Sequence, residues 1–351
     1  MSSQFSISEN PPWDQVGWLI LDAPSFLANV EKAGAADALL DLRSPLLEKV
    51  WRGLEGDLRR LGCRGYLSGK PLFGPFDPSE PEGWEKVLAP PFPASRLEAA
   101  LRAGFTVVVG HSSEAIILSN AAQSLERRCP VLIRLRNPDL MADPGQTSFL
   151  TILEILPQLP MLELAGFFFD QPFATRQDCD TFSRAVTRCL GETRALCFIG
   201  GESGPQPQRL LSRKCLGPRL LGLSETAGGE VCQATLTLEA WGIPLEARER
   251  KLLIGVEIGH ARGIPRKAAL QLFVEGIPAR IVRVEDWRLI IEIVDRPDVP
   301  PPWRVLLLGA STVAGTAGPI SSVVPGDWPA ESLWPMLESL SLDLPLLFRS
   351  A

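Results

Sequence analysis

The sequence predicts an α/β chain in which a (β/α)8 barrel of the TIM type is followed by a mostly antiparallel β domain. Three observations carry this. Short apolar runs alternate with helical segments up to about residue 223. Near residue 228 the alternation stops, and apolar runs succeed one another with no helix between them. Gly and Pro punctuate that second part, at Gly263-Ile264-Pro265, Gly276-Ile277-Pro278 and Pro300-Pro301-Pro302. Strand–helix alternation builds parallel sheets, and helix-free successions of strands build antiparallel ones. The expected layout is an N-terminal arm over 1–15, the barrel over 16–227 and the β domain over 228–351. A three-layer doubly wound sheet is the rival architecture.

The strand candidates of the first part are Asp37–Leu42, Arg64–Leu67, Lys86–Ala89, Phe105–Val109, Val131–Leu135, Leu164–Phe169, Ala195–Ile199 and Arg219–Leu223. They are short and rich in Val, Ile, Leu and Phe, as strands of a sheet covered on both faces should be. Between them, Pro45–Leu61, Ser95–Ala103, Ser113–Leu125, Thr147–Leu156 and Thr175–Leu190 carry apolar residues three and four apart. Capping residues stand before two of these helices, at Ser112-Ser113-Glu114 and Thr175-Arg176-Gln177. Eight strands in such an alternation close into a barrel. Beyond residue 228 the runs are Cys232–Trp241, Leu252–Ile258, Ala268–Val274, Ala279–Val284, Leu289–Val294 and Val305–Leu308, and Ser332–Leu337 reads as a short terminal helix.

Composition narrows the function classes. The chain has 351 residues, 45% hydrophobic and 22% charged, enough for a sizeable core and unlike a disordered chain. Thirty-five basic and 41 acidic residues give −6, so no footprint for DNA or RNA exists. No apolar run approaches the roughly 20 residues a bilayer requires, and no membrane association is expected. The start MSSQFSISENPPWDQ has neither basic nor apolar leader character. Seven scattered cysteines without a C-x-x-C suit reduced thiols in a cytoplasm. The chain has only two histidines, and no Cys/His cluster gives metal-ligand spacing, so no metal site is expected.

Several strings resemble those of the alanine racemases. Gly255-Val-Glu-Ile-Gly-His-Ala-Arg-Gly-Ile-Pro-Arg266 is similar to that family's "PVGYADGYPR". Residues 274–309 resemble its run from "GrVsMDq" to "GdeVvLlG", and Val87–His111 and Leu156–Asp170 resemble barrel segments. Ser203 and Gly204 fall near "aNSa", and Leu216–Ser224 near "vRpGi.LYGlsP". The resemblance spans nearly the whole chain. It implies a barrel with a C-terminal β domain, pyridoxal phosphate (PLP) at the barrel mouth, and a homodimer whose partner's β domain completes the pocket.

The departures fall on the residues that handle the cofactor. PLP chemistry needs a lysine amine for the Schiff base. Counting back from Gly62-Cys-Arg-Gly-Tyr66 puts Arg43 in its place, or Asp41 if two residues are gapped. Neither can form an imine. The family's tyrosine base becomes His260, the arginine facing the pyridine nitrogen becomes Cys215, the histidine of "THfa" becomes Asp170, and "sMDq" becomes Asp286-Trp287. The expectation is an erased pocket with no cofactor, remnant residues Asp41, Arg43, Ser203 and Gly204, and a dimeric scaffold or binding protein with a protein partner or small anionic ligand. One alternative is a rebuilt enzyme using His260, Cys215, Asp170 and Arg43. Another is a surviving PLP-dependent racemase with Lys70 as the misplaced lysine. His111, after the fourth strand, lies on the barrel rim, where functional residues gather.

Further expectations concern individual side chains. Arg43 either binds an anion or pairs with an acidic neighbour such as Asp170 and plugs the old pocket. His260 is either a base or a loop histidine bonded to backbone. The glycine-rich stretch 200–204 is either a phosphate cradle or a loop. Trp287, Trp303, Trp328 and Trp334 either pack the β domain or dock a partner.

Overall fold

The computed structural model of the chain describes residues 15–69, 83–90, 97–135, 148–169, 175–191, 196–201, 207, 210–221, 235–248, 251–264, 271–308 and 330–349. The first elements are strand β1 (Gly17–Asp22) and helix α1 (Ala23–Lys32). The alternating series follows: β2 (Leu39–Asp41), α2 (Pro45–Arg60), β3 (Gly65–Ser68), β4 (Glu85–Leu88), α3 (Leu97–Arg102), β5 (Thr106–Val109) and α4 (Ser112–Ser124). It continues through β6 (Cys129–Leu135), α5 (Ser148–Ile155), β7 (Leu162–Phe169), α6 (Arg176–Leu190), β8 (Cys197–Gly201) and β9 (Leu211–Leu216).

Strands β2 to β9 close into a barrel in chain order, every pairing parallel. This is the expected TIM-type architecture; the doubly wound rival fails because β9 pairs back onto β2. The inside is filled by Leu39, Leu67, Val87, Ala89, Val108, Leu132, Phe168 and Ile199. Their strand neighbours Val107, Val109, Val131, Ile133, Phe167 and Phe169 face outward against Leu118, Phe149, Ile152 and Phe182 of the helices. The consecutive phenylalanines Phe167, Phe168 and Phe169 thus alternate out, in, out, as strand geometry requires. Helix α6 is capped as its sequence suggests: the Thr175 hydroxyl accepts from Asp178 N–H at 3.2 Å, and Asp178 accepts from Thr175 N–H at 3.1 Å.

One strand differs from expectation. The run Arg219–Leu223 is not the eighth strand; a 3-10 turn occupies Pro218–Leu221, and LSRKCL (Leu211–Leu216) closes the barrel instead. That strand carries Ser212, the adjacent charges Arg213 and Lys214, and Cys215 between its two leucines and buries only Leu216 fully, so hydrophobicity alone passes it over.

The second sheet contains β10 (Leu236–Arg248), β11 (Lys251–Val256), β12 (Gln271–Val274), β13 (Ile277–Val284), β14 (Leu289–Ile293) and β15 (Trp303–Leu308). Helix α7 (Ala330–Asp343) and strand β16 (Leu346–Arg349) end the fold. The strand order is β11-β14-β13-β12-β15-β10-β1-β16, with β11 also pairing β10. β1 runs antiparallel to β10 and parallel to β16, so the sheet draws a strand from ahead of the barrel in the chain. Two compact units result. One comprises residues 33–43 and 58–217 and holds the barrel; the other comprises 1–32, 44–57 and 218–351 and holds the sheet. β1 and α1, within the 16–227 span read as barrel, belong to this second unit. Trp18 lies inside it, its indole N–H donating to the buried Glu239 carboxylate at 3.1 Å and its ring 4.9 Å from Trp241. Among the described residues no helix is long and apolar enough to cross a membrane.

Candidate functional site

The C-terminal ends of parallel barrel strands are where TIM-type barrels carry chemistry. On β2, Leu39 faces the interior, so Asp41, two residues on, emerges at the mouth on the same face. The chain then turns, and Arg43 folds back onto Asp41: Nε donates to Oδ1 at 2.8 Å, Nη2 to Oδ2 at 2.6 Å, and the Arg43 backbone N–H to Oδ1 at 3.1 Å. This is a forked guanidinium–carboxylate pair, the geometry in which arginine binds a carboxylate best. Its side chains are 34% and 15% exposed.

Two surfaces hold the guanidinium stem. Gly69, just past β3, lies under it, and a Cβ there would stand 2.7 Å from Arg43 Cδ. The Phe168 ring lies 5.8 Å from Arg43 Cζ, within cation–π range. A third charged group shares that face. Arg134 is two residues beyond the inward Leu132, is half-buried, and is the register neighbour of Phe168. Cys215 pairs with Leu39 and Gly201 and packs against the inner cluster one step below Asp41. The described mouth therefore combines one carboxylate, two guanidiniums and an aromatic ring.

Deeper in the barrel, Arg213 forms an ion pair with Glu85, both half-buried. Burial pushes the nearby Cys197 thiol up to about 11; Arg213 opposes that rise and Glu85 adds to it.

Other candidates are placed as follows. Asp41 is an acidic partner of Arg43; Asp170, the neighbour named in the expectation, lies outside the described residues, as do Ser203, Gly204 and Lys70. His111 is exposed at the start of α4, where the Glu114 carboxylate accepts from Gly110 N–H at 2.6 Å and His111 N–H at 3.2 Å. His260 opens a 3-10 turn, His260–Arg262, in the sheet unit. Its Nδ1 donates to the Ile264 carbonyl at 3.0 Å, and its backbone N–H donates to Glu285 O at 2.8 Å. Gly259 must be glycine for this turn, since a Cβ would fall 2.7 Å from the Trp287 carbonyl carbon. Trp303 is buried with its indole N–H on Val299 O at 2.8 Å, whereas Trp287 is 71% exposed on the β13–β14 hairpin; Trp328 and the side chain of Trp334 lie outside the described residues. Among the described residues no group of His, Cys, Asp and Glu could hold a metal ion.

Sequence reasoning missed Arg134 and Phe168. The signal was present in Val131–Leu135: an arginine inside an apolar strand, spaced two from Leu132, has to point along the barrel's inner face.

No family model matches the chain, and no curated protein matches it in sequence. Solved structures do. The alanine racemase of Bacillus anthracis with bound L-Ala-P superposes with a TM-score of 0.71 at 14% identity, covering 97% of this chain and 96% of that one. The enzyme of Bartonella henselae with covalently bound pyridoxal phosphate gives 0.67 at 14% identity, over 95% and 99%. The alanine racemase of E. faecalis gives 0.69 at 15%, over 96% and 99%. The fold is that of the alanine racemases. At such identities the likeness is one of architecture: a barrel plus a C-terminal β domain, aligned over almost the full length of both chains. Function has to be argued from the residues that occupy the alanine racemase fold here.

Proposed function

We propose that this protein is a non-racemase built on the alanine racemase fold, a cytoplasmic homodimeric scaffold or binding protein whose barrel mouth no longer takes PLP as a Schiff base. The observation that carries this reading is the Asp41–Arg43 pair at the end of the first barrel strand. Whichever of the two stands in the lysine's place, the side chain has no amine that condenses with an aldehyde, and each is engaged by the other.

The described lysines fit the same reading. Lys49 donates to Leu344 O at 3.1 Å, its amine held below the ordinary lysine range by burial, which Asp343 partly opposes. Lys86 lies 5.8 Å from the Phe105 ring, Lys214 donates to Ala33 O, and Lys251 pairs with Glu292. Lys32 is exposed at the end of α1. None of these five stands at the barrel's inner mouth. The described donor set does not suit a covalently held PLP, and no step through that cofactor is assigned to this chain.

The deciding measurement is the absorbance of the purified protein incubated with PLP, before and after borohydride. The expected spectrum is that of PLP alone, lost on washing. A band near roughly 420 nm, the region of an internal aldimine, that borohydride fixes to the protein would overturn the proposal and return racemase chemistry. Sedimentation tests the dimer: a strict monomer at micromolar concentration removes it.

A further inference from the structure

We propose that strand β16 is a latch on β1, fastened by the Lys49 ammonium, and that the edge it covers takes the same segment of a second copy of this chain when the latch opens. All its parts lie in the sheet unit, so the inference stands apart from the reading of the barrel mouth.

The argument starts from how little holds β16. It is four residues long, runs parallel to β1 and stands at the end of the sheet order, with no strand beyond it among the described residues. Short edge strands and parallel pairings are the weaker parts of a sheet, and such parts open first. The two strands are also unequal. Leu19 and Leu21 of β1 are fully buried, whereas all four residues of β16 are half-buried. β1 is thus a core strand, and one of its edges is closed by a strand of the surface.

Three contacts fasten the latch. At the entry to β16, Leu19 N–H donates to Pro345 O at 2.9 Å. One residue earlier, Leu344 O accepts from Lys49 Nζ at 3.1 Å. Leu344 follows the last residue of α7, so the ammonium stands at that helix's C-terminal end, where a cation is favoured. Gly53 lies four residues along α2 from Lys49, on the same face, and receives the Phe348 ring; a Cβ there would stand 2.7 Å from Phe348 Cε1. One face of α2 therefore grips the turn into β16 with a charge and the third residue of β16 with a notch. Lys49 is the fastener whose strength depends on a charge. Burial disfavours its charged form, and Asp343, itself paired with Arg262 at 3.4 Å, offsets that only in part.

The occupant follows from the register. An uncovered β1 presents Leu19, Ile20, Leu21 and Asp22 to a parallel strand, and the residues that fit opposite them are Leu346, Leu347, Phe348 and Arg349. The same segment fits the Gly53 notch. A second copy carries it, and exchange of an identical element restores the native contacts at low cost. Addition of a strand to an open sheet edge is a recurring mode of recognition.

The experiment titrates a fluorescent peptide with the sequence of residues 343–349, DLPLLFR, into the full chain and follows its anisotropy. Lys49→Met keeps an apolar stem and loses the charge and the donor; Lys49→Arg keeps both. Lys251→Met, at an exposed lysine of the same unit, is the control. Far-UV circular dichroism confirms that each variant is folded. Lys49→Met is expected to bind the peptide at least about tenfold more tightly than wild type does. Its Leu19 amide should exchange with deuterium faster by a similar factor, while Lys49→Arg and Lys251→Met behave as wild type. A Phe348→Ala version of the peptide should not bind. Should Lys49→Met fail to fold, Phe348→Ala in the full chain opens the latch from its other end, with the same readings expected. Two results overturn the proposal. A folded opening variant whose Leu19 amide is as protected as in wild type removes the latch. Faster exchange with no binding beyond that of the Phe348→Ala peptide removes the second copy as its occupant. The PLP–borohydride scan bears on neither result, so the proposed function and this inference fail separately.

Discussion

Replacing Phe168 by alanine tests whether one ring both fills the barrel and supports the charged mouth. The side chain is 2% exposed and packs with Leu39, Val108, Leu132 and Ile199. Phe-to-Ala changes in cores cost about 3–5 kcal/mol. Area gives a similar figure: burying a phenylalanine hides about 150–250 Å², or roughly 4–6 kcal/mol at about 25 cal/mol per Å². The Arg43 contact adds about 0.5–1 kcal/mol, the value for a partly solvated cation–π pair. A loss of about 4 kcal/mol is therefore expected, a large share of the roughly 5–15 kcal/mol that holds a typical domain. Urea unfolding with hydrogen exchange of the 129–135 and 162–169 segments reads this in the barrel itself. Combining Phe168→Ala with Arg43→Gln in a double-mutant cycle isolates the ring–guanidinium coupling. A loss below about 1.5 kcal/mol would show that the ring does not fill the interior. Zero coupling would remove the ring as a support for Arg43 while leaving its packing intact.

Three other perturbations check separate parts of the structure. Gly166 has φ of +156°, and a methyl there would run into the Cys197 backbone, 2.7 Å from its carbonyl carbon and 2.8 Å from its nitrogen. Gly166→Ala should cost at least about 3 kcal/mol in thermal or urea unfolding, and a variant as stable as wild type would refute the β7–β8 register. Burial raises the Cys63 and Cys197 thiols to about 11 and Cys129 to about 12, so among the described cysteines labelling at neutral pH should mark the exposed Cys189 before these three. Because folding raises these thiols above their ordinary 9.0, their contribution to stability is complete below that pH. It is lost as pH climbs through 11–12, since the unfolded chain releases its protons first. A urea midpoint that does not fall between pH 8 and pH 10 would contradict their burial. Glu85→Gln should cost about 2 kcal/mol, the scale of a hydrogen bond to a charged group. It should also make Cys197 more reactive, since Glu85 raises that thiol and Arg213 lowers it; unchanged labelling would place the ion pair elsewhere.

Much of the architecture was legible because it rests on local pattern. Runs such as Phe105–Val109 and Leu164–Phe169 are apolar on both faces, as strands of a covered sheet should be, and the change of grammar near residue 228 marks the passage to the antiparallel sheet. What escaped depends on distant partners. Gly17–Asp22 is apolar enough to be a strand, yet its pairing residues Leu236–Ala240 and Leu346–Arg349 lie more than 200 positions away. Leu211–Leu216 is polar enough to hide beside the more apolar Arg219–Leu223, of which residues 219–221 lie in a 3-10 turn. At the mouth, the sequence singled out Asp41 and Arg43 as replacements for a lysine. It did not reveal that they bind each other, because the backbone turn after β2 that folds Arg43 back has no residue signature of its own.

The placement of β1 sets the order in which this chain can be assembled. Its neighbours on both sides, β10 and β16, are made after the entire barrel, and β16 comprises residues 346–349 of 351. During synthesis a buried strand, GWLILD, must wait without hydrogen-bonding partners while some 200 residues follow it from the ribosome. Pairings of such sequence separation close slowly and leave strand edges open to other chains. A product cut just before residue 346 would strand β1 with one edge bare. A fragment starting at residue 218 would lack the strand that β16 pairs with. A strand made ahead of the barrel and one made long after it are thus clasped to one another, and the sheet gains its last edge only when β16 has been made.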